Sequence, residues 1–167
     1  IRDSHNVKGG AIYVHASASA PSRNFTITDS TFSGNSASTD TTTSSHHSRG
    51  GAVYAHQYTD ITITGSTFSG NTLIVDPAQA QGGALYVGKG GETTIINSTF
   101  SGNSATSDTT QSKGGALYLY TSSSVTGSLE LRNSTISGNT STSNSNKAWG
   151  GGLFANSYVT ISSKSSI

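Results

Sequence analysis

One phrase returns along this chain. Gly-Gly-Ala followed by an aliphatic residue and tyrosine stands at Gly9 (GGAIY), Gly50 (GGAVY), Gly82 (GGALY) and Gly114 (GGALY), and a variant, GGGLF, begins at Gly150. A second phrase, STFSGN, ends at Asn35, Asn71 and Asn103, then returns as STISGN ending at Asn139. The glycine phrases are 41, 32, 32 and 36 residues apart, and the asparagine phrases 36, 32 and 36. Self-similarity at a period of roughly 20–50 residues marks a repeat architecture, in which each unit buries its apolar face only against the next. A third, shorter phrase lies between them: TITDS, TITGS, TIINS and LELRNS, with IRDS and VTISS as partial copies near the two ends.

Each unit therefore holds three short segments rich in β-branched and aromatic residues and bounded by Gly, Asn, Asp and Ser, the signature of strands. No window has sustained 3.6-residue periodicity, so the expectation is all-β. Fixed strands joined by connectors of variable length predict a parallel β-solenoid of about five coils. It has three short strands per coil, and each coil stands about 4.8 Å above the last. Residues 1–167 read as a single β-helix domain. Because the chain opens on Ile1 and stops on SSKSSI, partway through another copy, it reads as a piece of a longer repeat protein.

Stacked coils place each side chain over its counterpart. The predicted interior columns are Ile12/Val53/Leu85/Leu117/Leu153, then Ile27/Ile63/Ile95/Leu131/Ile161, then Phe32/Phe68/Phe100/Ile136. Ile, Val, Leu and Phe supply only 30 of 167 residues, under the roughly 20% at which disorder is suspected. Disorder also calls for high net charge, and the net charge here is +1. A thin tube needs fewer large apolar side chains than a sphere. The column Asn35, Asn71, Asn103 and Asn139 is expected to form an amide ladder along the axis, as stacked amides do, with a left-handed turn preference as the plainer alternative. The glycine pair suits a corner that needs positive φ or close backbone approach.

The GGA[ILV] and FxxN tetrapeptides resemble the repeats of the polymorphic outer membrane proteins, first known from chlamydial surface proteins. GGA[ILV] stands at Gly9–Ile12, Gly50–Val53, Gly82–Leu85 and Gly114–Leu117; FxxN stands at Phe32–Asn35, Phe68–Asn71 and Phe100–Asn103. Ile136 in place of Phe and Gly152 in place of Ala depart from the pattern. The resemblance implies a right-handed parallel β-helix in an extracellular or cell-surface protein, with adhesin passengers among its bacterial members.

Composition narrows the chemistry. Charged residues are 10% of the chain, nine basic against eight acidic, where about 25% is usual. No basic footprint for nucleic acid follows, and no apolar run approaches the roughly 18 residues of a membrane span, so no membrane insertion is expected of this segment. There is no cysteine, hence no thiolate nucleophile and no zinc–thiolate site. Polysaccharide-acting enzymes also use β-helices but need clustered carboxylates in a cleft. The eight acidic residues give no adjacent pair along a strand. The expectation is a non-enzymatic extracellular structural protein that forms a rod or surface fibre, self-associating end to end or through further coils of the same chain. A surface adhesin for a receptor or glycan is the alternative, and a polysaccharide enzyme the remote one.

Several columns are candidates for binding. Asp40, Asp76 and Asp108 each lie five residues beyond a ladder asparagine, and a file of carboxylates could recruit Ca²⁺, the one cofactor considered; recurrent turn residues are the plainer account. Tyr13, Tyr54, Tyr86, Tyr118 and Phe154 alternate with the aliphatic column and so face outward, as a sugar- or partner-binding face or as rings packed under a loop. His15 and His56 occupy equivalent positions but are too few for a metal site; His46 and His47 read as solvated. Lys8, Arg49 and Lys113, just before the glycine pairs, read as a solvated edge or as partners of the Asp file. Asn24, Asn97 and Asn133 are glycan acceptors if the host is eukaryotic, with Asn139 shielded in the ladder. Thr26–Thr28 and Thr62–Thr64 hint at an ice-binding rank, which Ile96, Glu130 and Arg132 interrupt.

Overall fold

The computed structural model of the 167-residue chain describes residues 7–15, 23–40 and 47–164, apart from the side chain of Asp40. Among the described residues there is no helix; the chain winds through five parallel sheets and repeats the circuit. The first sheet holds the strands that follow the glycine pairs: Ile12–Val14, Val53–Ala55, Leu85–Val87, Leu117–Leu119 and Leu153–Ala155. The second holds Arg23–Thr28, Thr59–Thr64, Glu92–Ile96, Gly127–Arg132 and Val159–Lys164. The third holds the TFS and TIS triplets, Thr31–Ser33, Thr67–Ser69, Thr99–Ser101 and Thr135–Ser137. These are the three strands predicted from the phrases.

Two sheets more come from segments read as connectors. Ser36–Asp40, Thr72–Asp76, Ser104–Ser107 and Thr140–Ser143 make the fourth sheet; Ser48–Arg49, Ala80–Gln81, Ser112–Lys113 and Ala148–Trp149 make the fifth. A coil therefore has five strands rather than three, and about four turns are complete. The extra strands escape composition because their inward positions are small. Ala37, Leu73, Val75, Ala78, Ala80 and Ala105 form a buried cluster of their own with Val7. Beside it, buried hydroxyls bond inside the tube: Ser107 Oγ donates to the Ala78 carbonyl at 2.9 Å and Ser112 Oγ to the Ala105 carbonyl at 2.8 Å. Serine can line this interior because each such hydroxyl finds an acceptor.

The main core lies between the first three sheets. Val53, Leu85, Leu117, Ile63, Ile95, Phe68 and Phe100 are fully buried. The register matches the first and third predicted columns residue for residue. Phe32, Phe68 and Phe100 stack with ring centroids 4.7 and 4.5 Å apart. The second column holds through Leu131, but its last member is corrected. Ile161 pairs with Leu129, and Ser163 stands over Leu131.

The two glycines of each pair serve different needs. Gly50 has φ +67°, and a Cβ there would lie 2.2 Å from the Val53 carbonyl oxygen; Gly51 is an ordinary conformer whose Cβ would lie 1.9 Å from the Gly83 oxygen of the next coil. One turns the corner and the other lets the coils close on each other. The two departures from the repeat pattern are a pair in space. A Cβ on Gly152 would lie 2.8 Å from Ile136 Cγ2, so the branched side chain in the Phe column fills the space of the missing methyl group.

Candidate functional site

The outward files of the fifth and first sheets meet across the glycine corner. On the first sheet, Tyr13, Tyr54, Tyr86, Tyr118 and Phe154 stack at centroid distances of 5.1, 5.1, 5.2 and 5.3 Å. On the fifth, the in-register residues before the glycines are Arg49, Gln81, Lys113 and Trp149, with Lys8 bridged to Arg49. These cations are neither a solvated edge nor partners of the Asp file. Lys8 Nζ lies 5.6 Å from the Tyr54 ring centre, the Arg49 guanidinium 5.1 Å from that of Tyr86, and Lys113 Nζ 5.0 Å from that of Trp149. Arg49 Nε donates to Gln81 Oε1 at 2.9 Å, which fixes the plane of the fork.

The aromatic file points away from the core as its alternation requires, but it is not an open platform. Tyr54, Tyr86 and Tyr118 are each only 4% exposed, against 46% for Tyr13. Each inner ring is covered by the rings above and below it. Burial raises the pKa of all three phenols, Tyr118 to about 12. They are neutral hydrogen-bonding groups at any ordinary pH. Lys113 is shifted the other way, downward, because burial strips water from its ammonium.

Two adjoining clefts of about 300 and 320 Å³ open between these files, and Arg49, Tyr86 and Tyr120 line both. Gln79, Gln81, Lys113 and His47 complete one; Tyr54, His56, Gln57 and Lys89 lie in the other. Among the described residues no carboxylate lines either cleft. His47, read as solvated, instead faces the cleft with its Nδ1 buried; His46 lies outside the described residues. His15 and His56 stack at 5.0 Å. Sequence reasoning treated the cations and the tyrosines as separate columns. The signal that unites them is the glycine pair between them, which sets a tight corner and turns the two files toward each other.

The asparagine ladder is present. Asn35, Asn71 and Asn103 each donate a side-chain N–H to the carboxamide oxygen of the next member, at 2.8, 2.9 and 2.9 Å. The same oxygens accept the backbone N–H of the preceding member, and Asn71, Asn103 and Asn139 also donate to the carbonyls of Phe32, Phe68 and Phe100. The left-handed alternative fails, because the residue in that conformation is the glycine just before, at positions 34, 70, 102 and 138. A second ladder went unread. Ser66, Ser98 and Ser134 each accept the backbone N–H of the equivalent serine one coil earlier, all at 3.1 Å, while their hydroxyls donate to the carbonyls of Thr64, Ile96 and Arg132.

Asp40 and Asp76 pair in register, and the side chain of Asp40 lies outside the described residues. The other two carboxylates of that file are hydrogen-bonded within it, Asp76 to Thr109 Oγ1 at 2.8 Å and Asp108 to Asn144 Nδ2 at 2.7 Å. Among the described residues no group of three or more His, Asp or Glu could hold a metal ion. Asn24, Asn97 and Asn133 are all exposed, the last two at positive φ in the turn between the second and third sheets. Among the described residues no helix is long and apolar enough to cross a membrane.

Fold and surface together define a parallel β-helix whose coils are locked by two side-chain ladders and whose cations and aromatic rings gather along one corner. The family model of the Chlamydia polymorphic membrane protein repeat matches residues 29–56 and 97–120. Each matched stretch holds one member of the asparagine ladder, Asn35 or Asn103, and the glycine corner that follows it. In these two stretches the chain is similar to repeats of this type, and the β-helix runs through the described residues on either side of them. The comparisons with curated proteins and with solved structures give no match.

Proposed function

We propose that this chain is a non-enzymatic segment of a surface-exposed structural protein, a rod that lengthens by adding coils. The observation that carries the reading is the equivalence of the coils. The first three interfaces between coils have the same five strand pairings and the same Asn and Ser steps, although the spacing of the glycine phrases changes between 32 and 41 residues. A stack whose successive interfaces are alike has no built-in stopping point, and an uncovered coil is a template for another. Those further coils come from the same chain or from a second copy stacked end to end.

The surface location is supported by the repeat family, whose name is that of membrane proteins. The non-enzymatic reading is supported by the repeat family, and among the described residues that line the clefts there is no carboxylate pair for acid–base work on a glycosidic bond. Electron microscopy of the native material, with intact-mass measurement, tests the reading. Rods with a cross-section of one coil and a length proportional to the number of coils support it. Compact globular particles, or turnover of a polysaccharide by the purified chain, would overturn it.

A further inference from the structure

We propose that the corner cleft between the fifth and first sheets binds an acidic saccharide, with its sulfate or carboxylate groups on Arg49 and Lys113. Three features of the cleft select the ligand. The first is charge. The chain as a whole is nearly balanced, yet the cleft gathers Arg49 and Lys113, with Lys89 in the adjoining one, and no acidic residue is among the described residues that line them. The ion pairs formed among the described residues are those of Glu130 with Arg132 and Lys164, on the second sheet. Arg49 and Lys113 thus face the cleft with no carboxylate partner among the described residues. Fixed cations beside partly buried groups attract an anion more strongly than the same cations in open water.

The second feature is hydrogen bonding. Tyr86, Tyr118 and Gln81 line the same surface, and burial keeps the phenols protonated. A hydroxyl-rich ligand finds donors and acceptors there at every coil. The third is what the cleft lacks. Both walls are strands inside their sheets, bonded to the coils above and below, so no free edge accepts a peptide as an added strand. Among the described residues no Leu, Ile, Val or Phe lines either cleft as an apolar anchor site. The faces of the inner rings are covered by their neighbours, which removes the platforms on which nucleobases stack. Arg49, Gln81 and Lys113 come from three successive coils, so the ligand lies across coils as an extended chain. This inference does not rest on the rod reading, because the cleft is complete within the described coils.

Binding of the full 167-residue chain to heparin (sulfated), polygalacturonate (carboxylated) and dextran (uncharged) tests the proposal. The expected result is binding to at least one acidic polymer, weakened steeply by salt, with none to dextran. The preference between the two acidic polymers tells sulfate from carboxylate. Lys113→Gln should weaken binding about tenfold, while Lys164→Gln, which removes the same charge on the second sheet, should leave it within about twofold. Melting curves of both variants verify folding. If Lys113→Gln lowers the melting temperature, Lys89→Gln at the cleft rim replaces it, with the same direction expected. Equal binding to dextran, no binding to either acidic polymer, equal losses in the Lys113 and Lys164 variants, or tighter binding to polyglutamate than to both acidic saccharides would each overturn the proposal.

Discussion

Asn103 is the ladder member whose loss should cost most. It is fully buried. Its carboxamide oxygen accepts the backbone N–H of Asn71 at 3.0 Å and the Asn71 side-chain N–H at 2.9 Å, while its own Nδ2 donates to Asn139 Oδ1 at 2.9 Å and to the Phe68 carbonyl at 3.0 Å. Asn103→Ala removes all four bonds. Asn71 keeps its Nδ2 bond to the Phe32 carbonyl and the two bonds its Oδ1 accepts from Asn35, but its backbone N–H is stranded in the interior, and the Phe68 carbonyl loses a donor. A stranded buried group costs about 1–3 kcal/mol, so the two groups and the cavity together put the loss at about 3–5 kcal/mol. Asn139→Ala breaks a comparable set of bonds at a half-exposed step, where water replaces much of what is lost, and should cost about 1–2 kcal/mol. Asn103→Asp keeps the shape and both acceptor bonds but turns an oxygen toward Asn139 Oδ1 and the Phe68 carbonyl. It should be destabilising near neutral pH and milder in acid, where a protonated carboxyl can donate. Urea unfolding followed by far-ultraviolet circular dichroism measures all three. A loss below about 1 kcal/mol for Asn103→Ala, or equal losses at positions 103 and 139, would refute the view that burial makes the ladder stabilising.

Thr93 stands in an otherwise apolar column between Ile61 and Leu129, 1% exposed, and its hydroxyl has no hydrogen-bond partner; Thr93→Val should raise stability by about 1–2 kcal/mol by the same urea assay. Gly152→Ala should destabilise the chain by about 1–3 kcal/mol through overpacking against Ile136, and Ile136→Phe in the same chain should change that cost, a coupling that a double-mutant cycle reads as non-additive. The phenols of Tyr54, Tyr86 and Tyr118 ionise later in the folded than in the unfolded chain because burial raises them. Their stabilisation is full below pH about 10 and is lost as pH rises toward about 12. Absorbance titration at about 295 nm should show delayed ionisation of part of the tyrosine signal that advances to the ordinary range in urea.

Three of the five sheets were legible because identical residues mark them: the Tyr file, the Phe file and the Ile column each name a register. The fourth sheet leaves no such mark. Its inward positions read Ala37, Leu73, Ala105 and Ser141, four residues that share smallness rather than identity. The second column slipped at its last member because pairing there is set by the turn that precedes the strand, which differs in length between Leu119–Gly127 and Ala155–Val159. Matching Ile161 to Leu131 by type placed it two residues out. The serine ladder was visible as the column Ser30, Ser66, Ser98 and Ser134, yet serine is so common here that its recurrence carried little weight. The candidate cleft was the least legible feature. Each of its files could be read from the chain, but their meeting depends on the sharpness of a corner, which no single residue type announces.

The constancy of the steps between coils has a consequence for how such a chain can change over generations. Asn71 and Asn103 are separated by one complete circuit, and each is followed by a strand of the fourth sheet. Excising residues 72–103 would join Asn71 to Ser104 and leave every remaining coil facing the same partner surface it faces now. Duplicating that stretch would do the reverse. Unequal exchange between repeats of the gene can therefore shorten or extend the molecule by whole turns without a misfolded intermediate length. Loop variation, confined to the outside of each turn, is inherited along with the turn that carries it.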